Sequence, residues 1–319
     1  MSAGDGRFHV PVLTGDVVRL LALRPGGVLV DGTVGLGGHA EAILDAQPGV
    51  RIVGIDRDEA ALGHARARLA RFGDRVLLLH GDYGSLDELL DRSGVGPIDG
   101  LFLDLGVSSL QLDDEARGFG FRADGPLDMR MDRSRGVTAA EWLALTSPED
   151  LERALREYGE ERYARRIAGA IAHERSARPI ESTSHLRSVV HRAVPRVYFA
   201  QRIDPATRTF QAVRIAVNEE LDQLSAGLSH GFARLSRDGI LAVIAFHSLE
   251  DRMVKVFFRE RAAACVCPPD LPVCTCGKRV EAEILTPKPI VPTESEVSAN
   301  PRARSAKLRA CRKTIDFSR

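Results

Sequence analysis

The first hundred residues alternate between short apolar runs and stretches with helical periodicity. Branched apolar runs at Gly27–Val34, Arg51–Asp58, Arg75–Asp82 and Ile98–Gly106 predict strands. They are near-continuous rather than alternating, the pattern of a parallel sheet covered on both faces. Gly38–Ala46 and Glu59–Phe72 between them predict helices. The pattern breaks after residue 110. An irregular stretch rich in Gly, Asp and Arg (Asp113–Gly136) leads into helical segments. Thr138 and Glu141 predict a capping box, Ser147-Pro148 the start of a helix over Glu149–Arg175, and Ser184 the cap of another over His185–Val194. A long amphipathic helix over Thr209–Leu235 and a strand–helix unit in Gly239–Arg252 resume the first pattern. Two late strands are expected in Ala282–Ile290 and Ser305–Thr314. The expected architecture is an α/β Rossmann-like domain, discontinuous over 1–110 and 206–319. A mainly helical substrate-recognition domain is expected to be inserted at 111–205.

Composition adds bounds. The 319 residues are 44% apolar, enough for one large domain or two modest ones. No run approaches ~18 apolar residues, and the first residues lack the features of a signal peptide, so a cytoplasmic protein with no membrane span is expected. The net charge of zero hides a gradient. Residues 1–112 carry 10 basic and 15 acidic side chains, residues 151–214 carry 13 and 7, and residues 300–319 carry 7 and 1. A basic middle and tail suit local docking on phosphates.

The candidate chemistry starts at Val30–His39, "VDGTVGLGGH", between a strand and a helix. Glycines there let a ligand lie against the backbone at a helix N-terminus. Gly35, Gly37 and Ala40 match the dinucleotide fingerprint, and Asp56 follows Gly35 by 21 residues, the spacing of an acid that holds a ribose diol. Two ligands fit: a dinucleotide and S-adenosylmethionine. Asp31, Asp82, Tyr83 and Asp104, at or just after predicted strand ends, favour the second. Asp31 is placed for an aminoacyl ammonium, and Asp82 and Tyr83 for an adenine.

"DGTVGLGGH", "IDRD", "LDLGVSSLQLDD", "RGFGF", "DGPLDMRMD", "AAEWL", "YGEERYARRIA", "DPATRTFQAVRI", "FHSLEDR" and "NPRARSAKLR" follow one another along the chain. In that order they resemble the 16S rRNA cytosine-N4 methyltransferase family RsmH (MraW), from His9 to about Arg309. The resemblance implies a class I S-adenosylmethionine-dependent fold with a helical insertion. It also implies methylation of one cytidine, position 1402 of the decoding centre, in 16S rRNA within the small ribosomal subunit. It places cofactor contacts at Gly37, Gly38, His39, Asp56, Tyr83, Asp104 and Gln111.

The N4 amine of cytosine shares its lone pair with the ring. An acceptor must therefore hydrogen-bond its N–H, and a proton must leave. DNA cytosine-N4 methyltransferases use a Ser/Asp-Pro-Pro-aromatic loop for this. Here Asp104–Ser109 keeps the acid but has neither the prolines nor the aromatic. The catalytic candidates are Asp104, Ser108 with its neighbour Ser109, and His247. Phe119, Phe121 and Phe246 are candidates for stacking a flipped base. RNA contacts are expected from Arg162, Arg165 and Arg166 on one helix face, from Arg208 and Arg214, and from Arg302, Arg304, Lys307 and Arg309. Two other readings stay open: a nicotinamide-dependent oxidoreductase, and an RNA-binding assembly factor without turnover. Cys265, Cys267, Cys274 and Cys276 gather four thiols in a proline-rich loop. They could hold zinc, but neither pair has the usual C-x-x-C spacing and the chemistry needs no metal, so thiols without a metal are expected.

Overall fold

A computed structural model describes residues 11–200, 203–265, 267 and 275–316. The chain divides into two compact units, residues 1–106 with 222–319, and residues 107–221. The first unit opens with α1 (Thr14–Leu20), β1 (Val28–Asp31), α2 (Gly38–Ala46), β2 (Arg51–Asp56), α3 (Glu59–Leu69), β3 (Val76–His80), α4 (Leu86–Arg92) and β4 (Ile98–Asp104). The second holds α5 (Ser109–Asp113), α6 (Ala139–Leu145), α7 (Pro148–Glu157), α8 (Ala164–Ala177), α9 (Thr183–Ala193) and α10 (Thr207–Val217). The chain then continues through α11 (Glu220–Arg234), β5 (Leu235–Ala245), α12 (Ser248–Ala262), β6 (Ala282–Ile284), α13 (Glu294–Ala299) and β7 (Lys307–Lys313).

The seven strands form one sheet in the order β3-β2-β1-β4-β5-β7-β6. β1 to β5 pair in parallel, and β7 runs antiparallel between β5 and β6. This is the class I methyltransferase sheet. The inner strands are continuously apolar because both faces are covered; the edge strand β3, equally apolar in sequence, has no buried residue, and its Leu77 is exposed. Phe102 of β4 enters the layer of Val17, Ile43 and Leu62, while Leu101 and Leu103 enter the layer of Leu86, Leu228 and Phe258. Lys313 at the end of β7 is buried. Its ammonium donates to the carbonyls of Phe232, Ala233 and Leu235 at 2.8–3.0 Å, so the last strand caps the C-terminal end of α11. No helix among the described residues is long and apolar enough to cross a membrane.

The helical unit packs Leu143, Leu151, Leu155, Ile167, Ile171, Leu186 and Val190 around one core. The irregular stretch before α6 belongs to that core and is fixed by its own backbone. Met129 N donates to Arg117 O at 2.9 Å. The buried Arg117 guanidinium donates to the carbonyls of Arg130 and Met131. Gly118 between them has φ +70°, and a Cβ there would lie 2.3 Å from Pro126 O and 2.8 Å from Asp128 N.

Several boundaries differ from those read in the sequence. Each of the two longest expected helices is two. Glu149–Arg175 breaks between α7 and α8, where Glu160 adopts φ +47°. Thr209–Leu235 breaks at Asn218–Glu219, where Glu219 adopts φ +50°. Asn218 explains the second break: its amide donates to Met129 O and accepts from Met131 N, both at 2.8 Å, so it braces the irregular stretch. Ser182, not Ser184, caps α9; its hydroxyl accepts from His185 N. The division expected at 110 and 205 lies at 106 and 221, because α10 buries Phe210, Ala212 and Val213 in the helical core.

Candidate functional site

The strand order reverses between β1 and β4, and ligands of open parallel sheets bind beyond the carboxyl ends of the strands at such a point. β1, β2 and β4 each end there on an aspartate: Asp31, Asp56 and Asp104. The turn after β1 is bare because its conformation demands it. Gly35 has φ +52°, and Gly37, the N-cap of α2, has φ +80°, both in the left-handed region where a side chain is strained.

Asp56 clamps this turn. Its Oδ2 accepts from Gly35 N at 2.7 Å and its Oδ1 from Asp58 N at 2.8 Å. Each carboxylate oxygen keeps further acceptor capacity for a ligand hydroxyl. Burial pushes the Asp56 carboxyl up to about 6, against the pull of those two hydrogen bonds. Asp31 is pushed up to about 7 by burial. A hydrogen bond from Thr33 N opposes the rise and the charge of Asp56 adds to it.

Asp104 is fixed from its own backbone, whose N–H donates to Thr33 Oγ1 at 2.6 Å. Burial, with the charges of Asp31 and Glu250, holds its carboxyl well above the usual carboxylate range. Oδ1 is buried with no hydrogen-bond partner among the described residues. Oδ2 lies 3.5 Å from His39 Nδ1. His39 Nε2 lies 2.8 Å from Val12 O, and its ring stands edge-on to Phe102 at 4.8 Å. A carbonyl only accepts, so Nε2 carries a proton, and Nδ1 is the ring nitrogen turned toward Asp104. The two groups are therefore arranged to share one further proton.

The other expected residues are placed as follows. Asp82 ion-pairs with Arg57 at 2.6 Å. Tyr83 opens a 3-10 turn, and the edge of its ring lies against α11 at Gly227, where a Cβ would come within 2.5 Å. His247 is the N-cap of α12. Its Nδ1 accepts from Glu250 N at 3.4 Å, and Nε2 lies 2.9 Å from Glu250 Oε1. Glu250 Oε2 in turn accepts from Phe246 N at 2.8 Å and from His247 N at 3.3 Å. Ser108 and Gln111 lie in the helical unit and cap α5 reciprocally. Gln111 Oε1 accepts from Ser108 N at 3.0 Å, and Ser108 Oγ accepts from Gln111 N at 3.2 Å.

The structure thus brings Gly37, Gly38, His39, Asp31, Asp56 and Asp104 together in the α/β unit. Two residues that shape this site, Thr33 and Glu250, escape the sequence reading. His-x-x-Glu at a strand-to-helix junction carries the spacing of a capping box and is a signal for Glu250. Nothing local in the sequence marks Thr33.

Some expected RNA contacts are spent internally. Arg309 is buried against Asp251 at 2.6 Å, with Lys307 beside it at 3.2 Å. Arg214 forks onto Glu220 with two bonds of 2.8 Å. Arg162, Arg165 and Arg166 are exposed, but Arg162 precedes α8 rather than lying on it. Of the candidate stacking rings, Phe119 is in the helical core, Phe121 packs on Phe210 at 4.7 Å, and Phe246 is half-buried.

The chain was compared with known proteins. Ribosomal RNA small subunit methyltransferase H of Trichlorobacter lovleyi is 52% identical over 96% of this chain and 98% of its own length. The protein of the same name from Pelobacter propionicus is 51% identical over 97% and 99%. Among solved structures, an rRNA methylase from Streptococcus thermophilus aligns over 95% of this chain and 94% of its own, at 11% identity and a TM-score of 0.41. The family model of the MraW methylases matches residues 6–314, almost the whole chain. With relatives half identical from end to end, this chain belongs to the MraW methylase family and is a methyltransferase.

Proposed function

We propose that the chain binds S-adenosylmethionine at the β1–β4 switch point and methylates N4 of one cytidine, position 1402, in the decoding centre of 16S rRNA. The small ribosomal subunit in the cytoplasm is then the partner. The observation that carries the cofactor is the sign of the charge around the glycine turn. Asp31, Asp56, Asp104 and Glu250 act on one another there electrostatically. A sulfonium with an ammonium is attracted by that cluster, whereas the pyrophosphate of a dinucleotide is repelled, which disfavours the oxidoreductase reading. The unsatisfied Asp104 Oδ1 supports a ligand or substrate donor at this spot. The relatives' name supports the rRNA substrate.

In this reading Gly37, Gly38 and His39 present backbone to the methionine part, Asp31 receives its ammonium, Asp56 the ribose hydroxyls, and Tyr83 flanks the adenine. Gln111 is taken as a further cofactor contact and Ser108 as a further candidate for activating the amine. The cofactor supplies an electrophilic methyl group; the protein's task is alignment and proton handling. Asp104 accepts the N–H of the cytosine amine, which concentrates its lone pair on nitrogen, and the Asp104–His39 pair takes the proton that leaves. His247 and Glu250 position the α12 end of the site. RNA phosphates fall to Arg162, Arg165 and Arg166. These arginines cluster at the N-terminal end of α8, whose first turn has no acid. Cations are disfavoured at that end unless an anion joins them.

Cofactor affinity is expected to depend on pH. Asp31 and Asp56 have folded-state values of about 7 and about 6, above the ordinary 3.8. Each therefore destabilises the ligand-free protein progressively as pH rises from about 4 through those values, since the folded state holds the proton more tightly. A cation reverses this by favouring the ionised form. S-adenosylmethionine should bind more tightly as pH rises from 5.5 to 8, by up to about tenfold per unit for each proton displaced, and should raise Tm more at pH 8 than at pH 5.5. Titration calorimetry in buffers of different ionisation enthalpy counts the released protons. Affinity that is flat or falls with rising pH would contradict the acidic-cluster assignment.

The reaction itself is tested by methyl transfer from labelled S-adenosylmethionine to small subunits lacking base methylation, followed by nucleoside mass spectrometry. Label in N4-methylcytidine is expected. Cofactor binding without label on subunits would reject this substrate and favour an assembly role.

A further inference from the structure

We propose that Cys265, Cys267 and Cys276 form a zinc site that closes the excursion between α12 and β6. The three Sγ atoms lie within 4.8 Å of one another, although Cys276 is 11 residues beyond Cys265. The Cys265 and Cys276 sulfurs are 3.8 Å apart. Two thiolates on one zinc, at Zn–S distances of about 2.3 Å and the tetrahedral angle, stand about 3.8 Å apart. The pair is already spaced as it would be around the ion. Cys267 N donates to Cys265 Sγ at 3.3 Å, and backbone N–H donors to a metal-bound thiolate orient it and disperse its charge. The neighbouring Lys278 and Arg279 oppose the negative charge of three thiolates on a divalent cation.

The surrounding chain gives the site a purpose. The feet of the excursion are joined: Glu281 N donates to Arg261 O at 2.8 Å, and the Arg261 guanidinium pairs with Glu281 at 2.7 Å. Residues 262–280 thus leave and return at one neck. None of the described residues among 262–280 is buried, so apolar packing does little to order those described residues. A metal tie between 265–267 and 276 would join the described residues on the two sides of the excursion. Each thiol gives up its proton to solvent when it binds, and no electrons are exchanged. Cys274 lies outside the described residues, and the site rests on the other three. The fifth cysteine, Cys311, is buried in β7, and its thiol is pushed up to about 12 by burial, so it is no ligand.

The test is metal analysis of the full chain produced without a histidine tag in zinc-supplemented medium. About one zinc per chain is expected, lost in Cys265→Ser and in Cys276→Ser but kept in Cys311→Ala. Exchange of the wild-type metal for cobalt(II) should give the near-ultraviolet charge-transfer band of thiolate ligation. That band reads the site even if a serine variant folds poorly. A chelator should expose residues 262–280 to protease while leaving cofactor binding intact. Zinc below roughly a tenth of an equivalent with no cobalt band would overturn the proposal, as would a disulfide among these cysteines in the metal-free protein.

Discussion

Asp104→Asn should lower kcat/KM for methyl transfer by about 10²–10⁴-fold while leaving the protein at least as stable at pH 8. The two effects have one cause. Asp104 is half-buried with Oδ1 shielded from solvent, and desolvation, together with the negative charges of Asp31 and Glu250, holds its carboxyl well above the usual range. Forcing it to ionise at pH 8 costs folding free energy, and asparagine removes that cost at nearly constant volume. Asparagine also cannot take a proton, either from the amine or from the His39 side. A residue that merely packed would lose stability on substitution. Thermal unfolding at pH 6 and pH 8 beside single-turnover kinetics separates the cases. Full activity in this variant would remove Asp104 from the chemistry, and a lower Tm at both pH values would make it structural.

The largest stability loss is expected from Gly118→Ala. A residue at φ +70° in the left-handed region costs roughly 1–2 kcal/mol when it is not glycine. Here the new Cβ would also meet backbone atoms of Pro126 and Asp128 at 2.3 and 2.8 Å, which cannot rotate away. Overpacking of this kind adds about 1–3 kcal/mol, for a total of about 2–5 kcal/mol. The loss should fall on the helical unit, where hydrogen exchange of α6 to α10 would accelerate. Gly136→Ala is the control. It lies in the same unit at φ +74°, with open space where the Cβ would go, so it bears only the backbone cost. Equal losses in the two variants would show that the close approach to 126–128 contributes nothing.

The α/β unit was legible because its signals are local. A strand buried on both faces is written in a few consecutive residues such as Leu101, Phe102 and Leu103, and α2 begins and ends at the residues expected of it. The capping box of α6 and the Ser147-Pro148 start of α7 are local in the same sense. The breaks at Glu160 and Asn218 are not. Asn218 sits in an amphipathic run that reads as one helix, and only bonds to Met129 and Met131, far away in sequence, account for its position. The site divides likewise. The glycine turn and the aspartates at strand ends follow from spacing. The links from Asp104 to Thr33 and His39, and the use of Arg309 and Arg214 in ion pairs, depend on residues that meet only in three dimensions. Arginine counts alone therefore overstate the basic surface.

The position of β7 has a consequence for how the protein is made. The strand lies between β5 and β6, yet it is translated after both. Until residues 307–313 have left the ribosome tunnel, β5 and β6 lack the partner that joins them, and the C-terminal carbonyls of α11 lack the ammonium of Lys313. The nascent α/β unit must therefore wait with an open hydrogen-bonding edge on β5 while its first four strands are already paired. Truncation before Lys307 would make that waiting state permanent, with β5 exposed as a template for association with other chains.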